Sequence, residues 1–228
     1  MNLSGKVVVI TGASKGLGSA LAKLFAKEGA KLTIGSRSEK ELNQVAQATG
    51  AAAIKTNVTN EKEVEALANL AVKKFGTIDI WINNAGVRIP HQVIEETDMT
   101  RVKEMFETNV FGTMHGTRAA LKQMKKQKSG VIINILSTAA LAGRPNLAAY
   151  AASKFALVGF TQAIRGEAAP YNIKVIAVFP GGMQTHFFDE EKPGDFDKYM
   201  PPTAVAEKIV ENLKSEAPQD ELTIRRNG

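Results

Sequence analysis

The strongest limit on how this chain can fold is its regular alternation of short β-branched and aliphatic runs with longer stretches whose apolar residues recur at helical spacing. The short runs fall at residues 6–10, 31–35, 52–57, 78–83, 131–136, 174–179 and 221–225. Several of them, Val7-Val8-Val9-Ile10 first, are apolar at every position, as in strands covered on both faces within a parallel sheet. Helical stretches at about 16–28, 39–48, 61–75, 101–127, 148–168 and 204–214 supply the cover. In the first, Leu17, Ala20, Leu21, Leu24 and Phe25 show the spacing and Gly29 stops it. Ser38-x-x-Glu41 and Asn60-x-x-Glu63 read as caps that open the second and third. Right-handed crossovers between such strands predict an α/β fold, a doubly wound seven-stranded parallel sheet with helices on both faces. A length of 228 residues suits one core of this kind, so residues 1–228 are expected to form a single domain.

Composition removes several classes of function. There is no cysteine, hence no disulfide framework and no thiolate metal site, and the three histidines, His91, His115 and His186, lack metal-ligand spacing, so no metal is expected. The first apolar run is too short for a membrane span and has no signal-peptide layout, so a soluble cytoplasmic protein with no membrane partner is expected. A net charge of +6 raises the question of nucleic acid, but the densest basic run, Lys122 to Lys128, carries no interleaved aromatics and reads as a solvated helix end. No nucleic-acid partner is expected.

Residues able to carry chemistry stand where expected strands pass into expected helices. The first strand runs into Thr11-Gly12-Ala13-Ser14-Lys15-Gly16-Leu17-Gly18, a turn whose glycines allow close backbone approach and whose free N–H groups, at a helix start, favour a pyrophosphate. Asn83-Asn84-Ala85-Gly86 follows the fourth strand, at the carboxyl edge where such sheets bind ligands. Ser137 ends the fifth strand, Asn109 lies mid-helix where asparagine is a poor helix former, and Pro180-Gly181 follows the sixth strand. Tyr150 and Lys154 stand at i and i+4 near a helix start, where an ammonium and the positive end of the helix dipole both stabilise a phenolate and lower its pKa.

In this order, Thr11-Gly12-x-x-x-Gly16-x-Gly18, Asn83-Asn84-Ala85-Gly86, Asn109, Ser137, Tyr150-x-x-x-Lys154 and Pro180-Gly181 resemble the short-chain dehydrogenase/reductase superfamily across nearly the whole chain. The resemblance implies a Rossmann-type fold and a catalytic group of Asn109, Ser137, Tyr150 and Lys154. Tyr150 would be the general acid or base, Ser137 would hold the substrate oxygen, and Lys154 would tune Tyr150 and hold the nicotinamide ribose. Asn109 would kink its helix and hold a water in a proton relay. It also implies cofactor contacts from Gly12, Ser14, Lys15, Gly16, Leu17, Gly18, Asn57, Val58, Asn84, Ala85, Gly86, Tyr150, Lys154, Pro180, Gly181 and Thr185. Asn57-Val58 departs from the family's more frequent Asp-Val at the adenine.

The end of the second strand bears on the coenzyme. An NAD-preferring enzyme usually has an acid there for the ribose hydroxyls, whereas this chain has Gly35-Ser36-Arg37-Ser38. Ser36 and Arg37, with Lys15, are suited to a 2′-phosphate, which predicts NADP(H) as cofactor.

Segment 183–200, with His186, Phe187, Phe188, Phe196 and Tyr199, reads as a mobile lid, and Ala139, Leu141, Arg144, Arg88, Ile89 and Met183 as further pocket lining. The expected partner is a small-molecule carbonyl or alcohol substrate, with a carbonyl reductase activity on a ketone, aldehyde or 3-oxoacyl group. A non-catalytic dinucleotide-binding regulator or scaffold of the same fold is the other reading, and the intact Ser137, Tyr150 and Lys154 weigh against it. Few residues follow the last strand, so a C-terminal extension completing the pocket is not expected. Surplus apolar and small residues at Val110, Phe111, Gly112, Gly116, Ala119, Ala120, Phe155, Val158 and Phe160 predict a homo-oligomer, a tetramer or a dimer.

Overall fold

The computed structural model describes residues 1–226 and shows the expected sheet. Seven parallel strands, β1 (Val7–Thr11), β2 (Lys31–Ser36), β3 (Ala52–Lys55), β4 (Ile80–Asn83), β5 (Gly130–Ile135), β6 (Ile173–Pro180) and β7 (Glu221–Ile224), lie in the order β3-β2-β1-β4-β5-β6-β7. Successive strands step outward in one direction from β1 and in the other from β4, which opens a crevice at the carboxyl ends of these two neighbours.

Because side chains alternate along a strand, each apolar run feeds two cores. Val8 and Ile10 pack with Leu21 and Phe25 of α1 (Gly16–Lys27), Leu42 of α2 (Glu39–Thr49) and Ile209 of α7 (Pro202–Lys214). Val7 and Val9 face the other way, toward Leu67 of α3 (Glu61–Phe75), Met124 of α5 (Gly112–Gln127) and Ile164 of α6 (Ala148–Ala168). All five residues of β1 are buried. No helix among the described residues is long and apolar enough to cross a membrane.

Three local expectations need correction. The stretch 101–127 is not one helix: α4 (Met99–Phe106) and α5 are joined by a π-helical turn, Glu107–Phe111, that widens the backbone around Asn109. Ser38 stands at the start of α2, but its side chain caps nothing; its N–H instead donates to the Ser36 hydroxyl at 3.3 Å. Asn60 does cap α3, accepting from the Lys62 N–H at 3.1 Å, while Glu63 accepts from the Asn60 amide at 3.0 Å and the Asn57 N–H at 2.7 Å. The residues marked for intersubunit packing are mostly used within the chain, since Val110, Gly112, Gly116, Ala119 and Ala120 are buried, leaving Phe111 and Phe155 exposed.

A polar network is set into the second core. Asn83 and Asn134 are paired across β4 and β5, and the Asn83 amide donates to Asn134 Oδ1 (2.8 Å) and Thr117 Oγ1 (3.0 Å), while Asn134 donates to Thr161 Oγ1 (3.0 Å) and Trp81 Nε1 to Asn83 Oδ1 (2.7 Å). Every member has a partner, so α5 and α6 are pinned to the central strands in one position. The network also requires glycine at position 116, because a Cβ there would collide with Asn83 Oδ1 and the Trp81 indole nitrogen. Gly116→Ala is expected to cost about 1–3 kcal/mol of stability, read by thermal or urea unfolding. An unchanged midpoint would mean that α5 shifts freely over the sheet.

Candidate active site

The crevice opens into a cleft of about 650 Å³ running from the end of β2 to the segment after β6. On its nucleotide side the glycine-rich turn has Gly12 and Gly16 in the left-handed region (φ 66° and 56°), conformations that ordinary residues rarely adopt. Gly18 lies outside the cleft, and a Cβ there would stand 2.6 Å from Asn84 Nδ2 and 2.9 Å from Ala13 Cα, so its lack of a side chain serves helix packing. Asn84 braces the turn through its Nδ2, which donates to the carbonyls of Thr11 (2.9 Å) and Gly12 (3.0 Å). Lys15 precedes α1 without a side-chain cap, and the first turn holds no acid, so the helix presents its N–H groups and positive dipole end uncompensated. That donor set fits a pyrophosphate.

Ser14, Lys15, Ser36 and Arg37 line one rim, with Ser36 Oγ donating to Ser14 Oγ at 2.8 Å and no carboxylate at the strand end. Thr56 and Val58 also line this end of the cleft. Asn57, expected there, does not line the cleft, and its Oδ1 is turned to the Thr59 N–H at 3.2 Å. Thr56 was missed because a lone threonine at a strand end gives no sequence signal.

At the other end Ser137, Tyr150 and Lys154 converge. Ser137 follows β5 in extended conformation, and its Oγ accepts from the Ala139 N–H at 3.1 Å. Lys154 is 4% exposed, and its ammonium donates to the Ile135 carbonyl at 3.1 Å and stands 5.9 Å from the centre of the Tyr150 ring. Burial pushes the Tyr150 phenol up to about 12, against which the Ser137 hydroxyl and the charge of Arg88 pull downward. Burial likewise pulls Lys154 down to about 8. The expected depression of the phenol by Lys154 is therefore overturned in the protein alone, where desolvation outweighs their proximity.

Asn109 is fully buried behind the cleft. Its Oδ1 accepts from the Val87 N–H (2.8 Å), and its Nδ2 donates to the Val87 carbonyl (2.9 Å) and to Ser153 Oγ (3.2 Å), which in turn donates to the Tyr150 carbonyl (2.8 Å). Asn84, Ala85, Gly86, Pro180, Gly181 and Thr185 all line the cleft. Leu141 does not, whereas His91, Arg101, Met105 and Leu147, not read as pocket lining from the sequence, do. Arg101 and Met105 sit on a helix whose amphipathic spacing reads as ordinary surface and core.

The segment after β6 is folded over this end. Its stem is closed by main-chain bonds from Gln184 N to Met200 O (2.9 Å) and Met200 N to Gly182 O (3.1 Å). Inside, the rings run edge to face from Tyr150 to Phe187 (5.9 Å) and Phe188 (5.8 Å), then to Tyr199 (5.3 Å).

A doubly wound sheet with an uncapped helix at its switch point defines a dinucleotide-binding α/β protein. The chain belongs to the short-chain dehydrogenase family, whose model matches residues 6–195, and it is an oxidoreductase of that family. It is 36% identical to an uncharacterized oxidoreductase of Staphylococcus saprophyticus over 98% of this chain and 97% of the relative. Among solved structures it resembles a 3-ketoacyl-(acyl-carrier-protein) reductase from Brucella melitensis complexed with NADH, with TM-score 0.91, 32% identity and 97% of both chains covered. It is also similar to an alcohol dehydrogenase from Thermococcus sibiricus complexed with 5-hydroxy-NADP, with TM-score 0.87, 27% identity and 98% and 97% coverage.

A buried lysine whose native pKa lies below its unfolded value binds fewer protons when folded. The cost of burying its ammonium, roughly 3 kcal/mol at most, is present in full below pH 8 and relieved as pH climbs from about 8 to 10.5. The Tyr150 phenol, raised from 10 to about 12, works in the opposite sense only as the pH reaches 10, where the unfolded phenol ionises, and it does so with and without Lys154. Lys154→Met is thus expected to raise the melting temperature at pH 7 and to lose most of that advantage by pH 10. Equal differences at both values would show that Lys154 is not desolvated.

Proposed function

We propose that the protein is an NADP(H)-dependent carbonyl reductase, or the corresponding alcohol dehydrogenase. The observation that carries this reading is the convergence of Ser137, Tyr150 and Lys154 at one end of a cleft whose other end offers Arg37, Lys15 and two serine hydroxyls and no acid. When bound, the nicotinamide supplies or accepts the hydride. Ser137 donates a hydrogen bond to the substrate oxygen, and Tyr150 passes a proton to that oxygen as it becomes an alkoxide. Lys154 would hold the ribose, a reading supported by its anchorage on the Ile135 carbonyl and its nearness to Gly86. Where Lys154 carries its proton, its charge favours the phenolate against the burial that disfavours it. Asn109 supports the group by fixing Val87 and Ser153. Phe187, Phe188, Tyr199, Met183 and Leu147 line the substrate end and favour an apolar carbonyl compound.

A panel of ketones, aldehydes and 3-oxoacyl thioesters, with coenzyme oxidation followed optically, tests the reading. Tyr150→Phe should lose ~10²-fold or more in turnover while still binding NADPH. A charge-assisted hydrogen bond contributes ~1.5–3 kcal/mol, so Arg37 should supply roughly ten- to a hundredfold preference for NADPH, which Arg37→Leu removes with little change toward NADH. Equal use of NADH by the unaltered protein would refute the coenzyme assignment, and no turnover with any carbonyl would favour a scaffold.

We also infer self-association. On α6 the exposed residues Ala152, Phe155, Ala156, Gly159, Ala163 and Gly166 recur at helical spacing, and a Cβ added at Gly159 or Gly166 would meet open space, so a smooth apolar stripe faces outward. Sedimentation should find a dimer or tetramer at micromolar concentration that Ala156→Arg converts to monomer. A monomeric parent protein would overturn the inference.

A further inference from the structure

Three ion pairs join the lid segment to the body of the protein, and they are not equivalent. Arg101–Glu190 and Arg226–Asp195 are exposed at both partners, where such pairs contribute little. Arg88 differs, its side chain being only 5% exposed. Its Nη2 donates to Glu191 Oε2 at 2.9 Å and to the Glu191 carbonyl at 3.3 Å, its Nη1 lies 3.2 Å from His91 Nε2, and its guanidinium covers the Phe188 ring at 4.7 Å. The His91 N–H completes the grip by donating to the same Glu191 oxygen at 2.7 Å. The backbone that carries Arg88 is itself immobilised, because Val87 is held at both its N–H and its carbonyl by Asn109. From this anchor a continuous contact path runs through Phe188 and Phe187 to the ring of Tyr150.

We propose that Arg88 is a positioning residue for the carbonyl substrate. By latching Glu191 and Phe188 it holds Phe187 over Tyr150, and the substrate is confined between lid and proton donor. The assignment deepens the reductase reading and rests on it. No charge on the coenzyme is involved, so loss of the latch acts on the carbonyl and not on NADPH. The backbone carbonyl and stacking contacts need the planar fork, so lysine is an incomplete substitute.

The test combines steady-state kinetics with limited chymotrypsin digestion of the protein without coenzyme, reading cleavage after Phe187, Phe188, Phe196 and Tyr199. Arg88→Met should speed cleavage and raise the carbonyl KM by about tenfold each, with NADPH KM unchanged and kcat less affected. Arg88→Lys should fall between it and the unaltered protein, and Arg226→Met, which removes an exposed lid pair outside the cleft, should change neither quantity. Should Arg88→Met not fold, Glu191→Gln removes the charge from the lid side and is expected to move both readouts in the same direction. Tyr150→Phe should keep normal lid protection. Turnover surviving in Tyr150→Phe would refute the reductase reading while the digestion still judges the latch. Unchanged cleavage and carbonyl KM in Arg88→Met, or in Glu191→Gln where that variant stands in, would overturn the proposal.

Discussion

The carboxamide of Asn109 grips both hydrogen-bonding groups of Val87 and, through Ser153, the backbone of Tyr150, and most of the site hangs from that joint. Three segments distant in sequence meet there: the loop after β4, the π-helical turn between α4 and α5, and the first turn of α6. A regular α-helix has its main-chain polar groups satisfied internally and turns side chains by 100° per residue; the wider turn lets one amide face a loop edge squarely. Thr113 secures the turn from within, its hydroxyl donating to the Asn109 carbonyl at 2.8 Å. Because the amide is wholly buried, an unpaired donor or acceptor there costs ~1–3 kcal/mol, and this asymmetry makes the joint rigid.

Rigidity matters because the chemistry sits in an uncomfortable electrostatic position. A phenol raised to about 12 and an ammonium lowered to about 8 are both held away from their solution behaviour by burial. Lys154 has no carboxylate partner among the described residues to relieve it, its ammonium donating to the Ile135 carbonyl instead. Sites that store such a penalty depend on the surrounding structure to prevent relaxation, and here the restraint is the amide network on one side and the packed rings of the lid on the other.

The sheet was legible because its central strands β1, β4, β5 and β6 are covered on both faces, so continuous apolar runs such as Val7 to Ile10 have few other uses. Ser137, Tyr150 and Lys154 could be read because strand ends and helix starts locate side chains to within a turn. What escaped reading depends on contacts between distant segments. Asn109 was expected to kink its helix and hold a water in a proton relay, and what could not be read is that its amide braces Val87 and Ser153; Gly116 and Ala120, read as intersubunit packing, are consumed by β4 and the second core. Arg88 could be listed as pocket lining, but nothing local tells that Glu191, 103 residues away, will meet it. The sign of the Tyr150 shift was missed for a related reason: an i, i+4 neighbour is visible in sequence, whereas desolvation is a property of the finished fold.

The strand order has a consequence for how the protein comes into being. β1 pairs with β2 soon after both are made, but its other neighbour, β4, lies about seventy residues further on (Val8 against Ile80), and the residues that close the cleft come later still, from 137 to 200. On the ribosome, the nascent chain therefore carries the glycine-rich turn through about a third of synthesis with one flank of its central strand uncovered, since Val8 waits 72 residues for Ile80 in a chain of 228. Such long-range pairing is slow to form and leaves an apolar edge exposed meanwhile. The two ends of one cleft are made about a hundred residues apart, from 12–37 and from 137–200, so the cleft exists only once most of the chain has been synthesised.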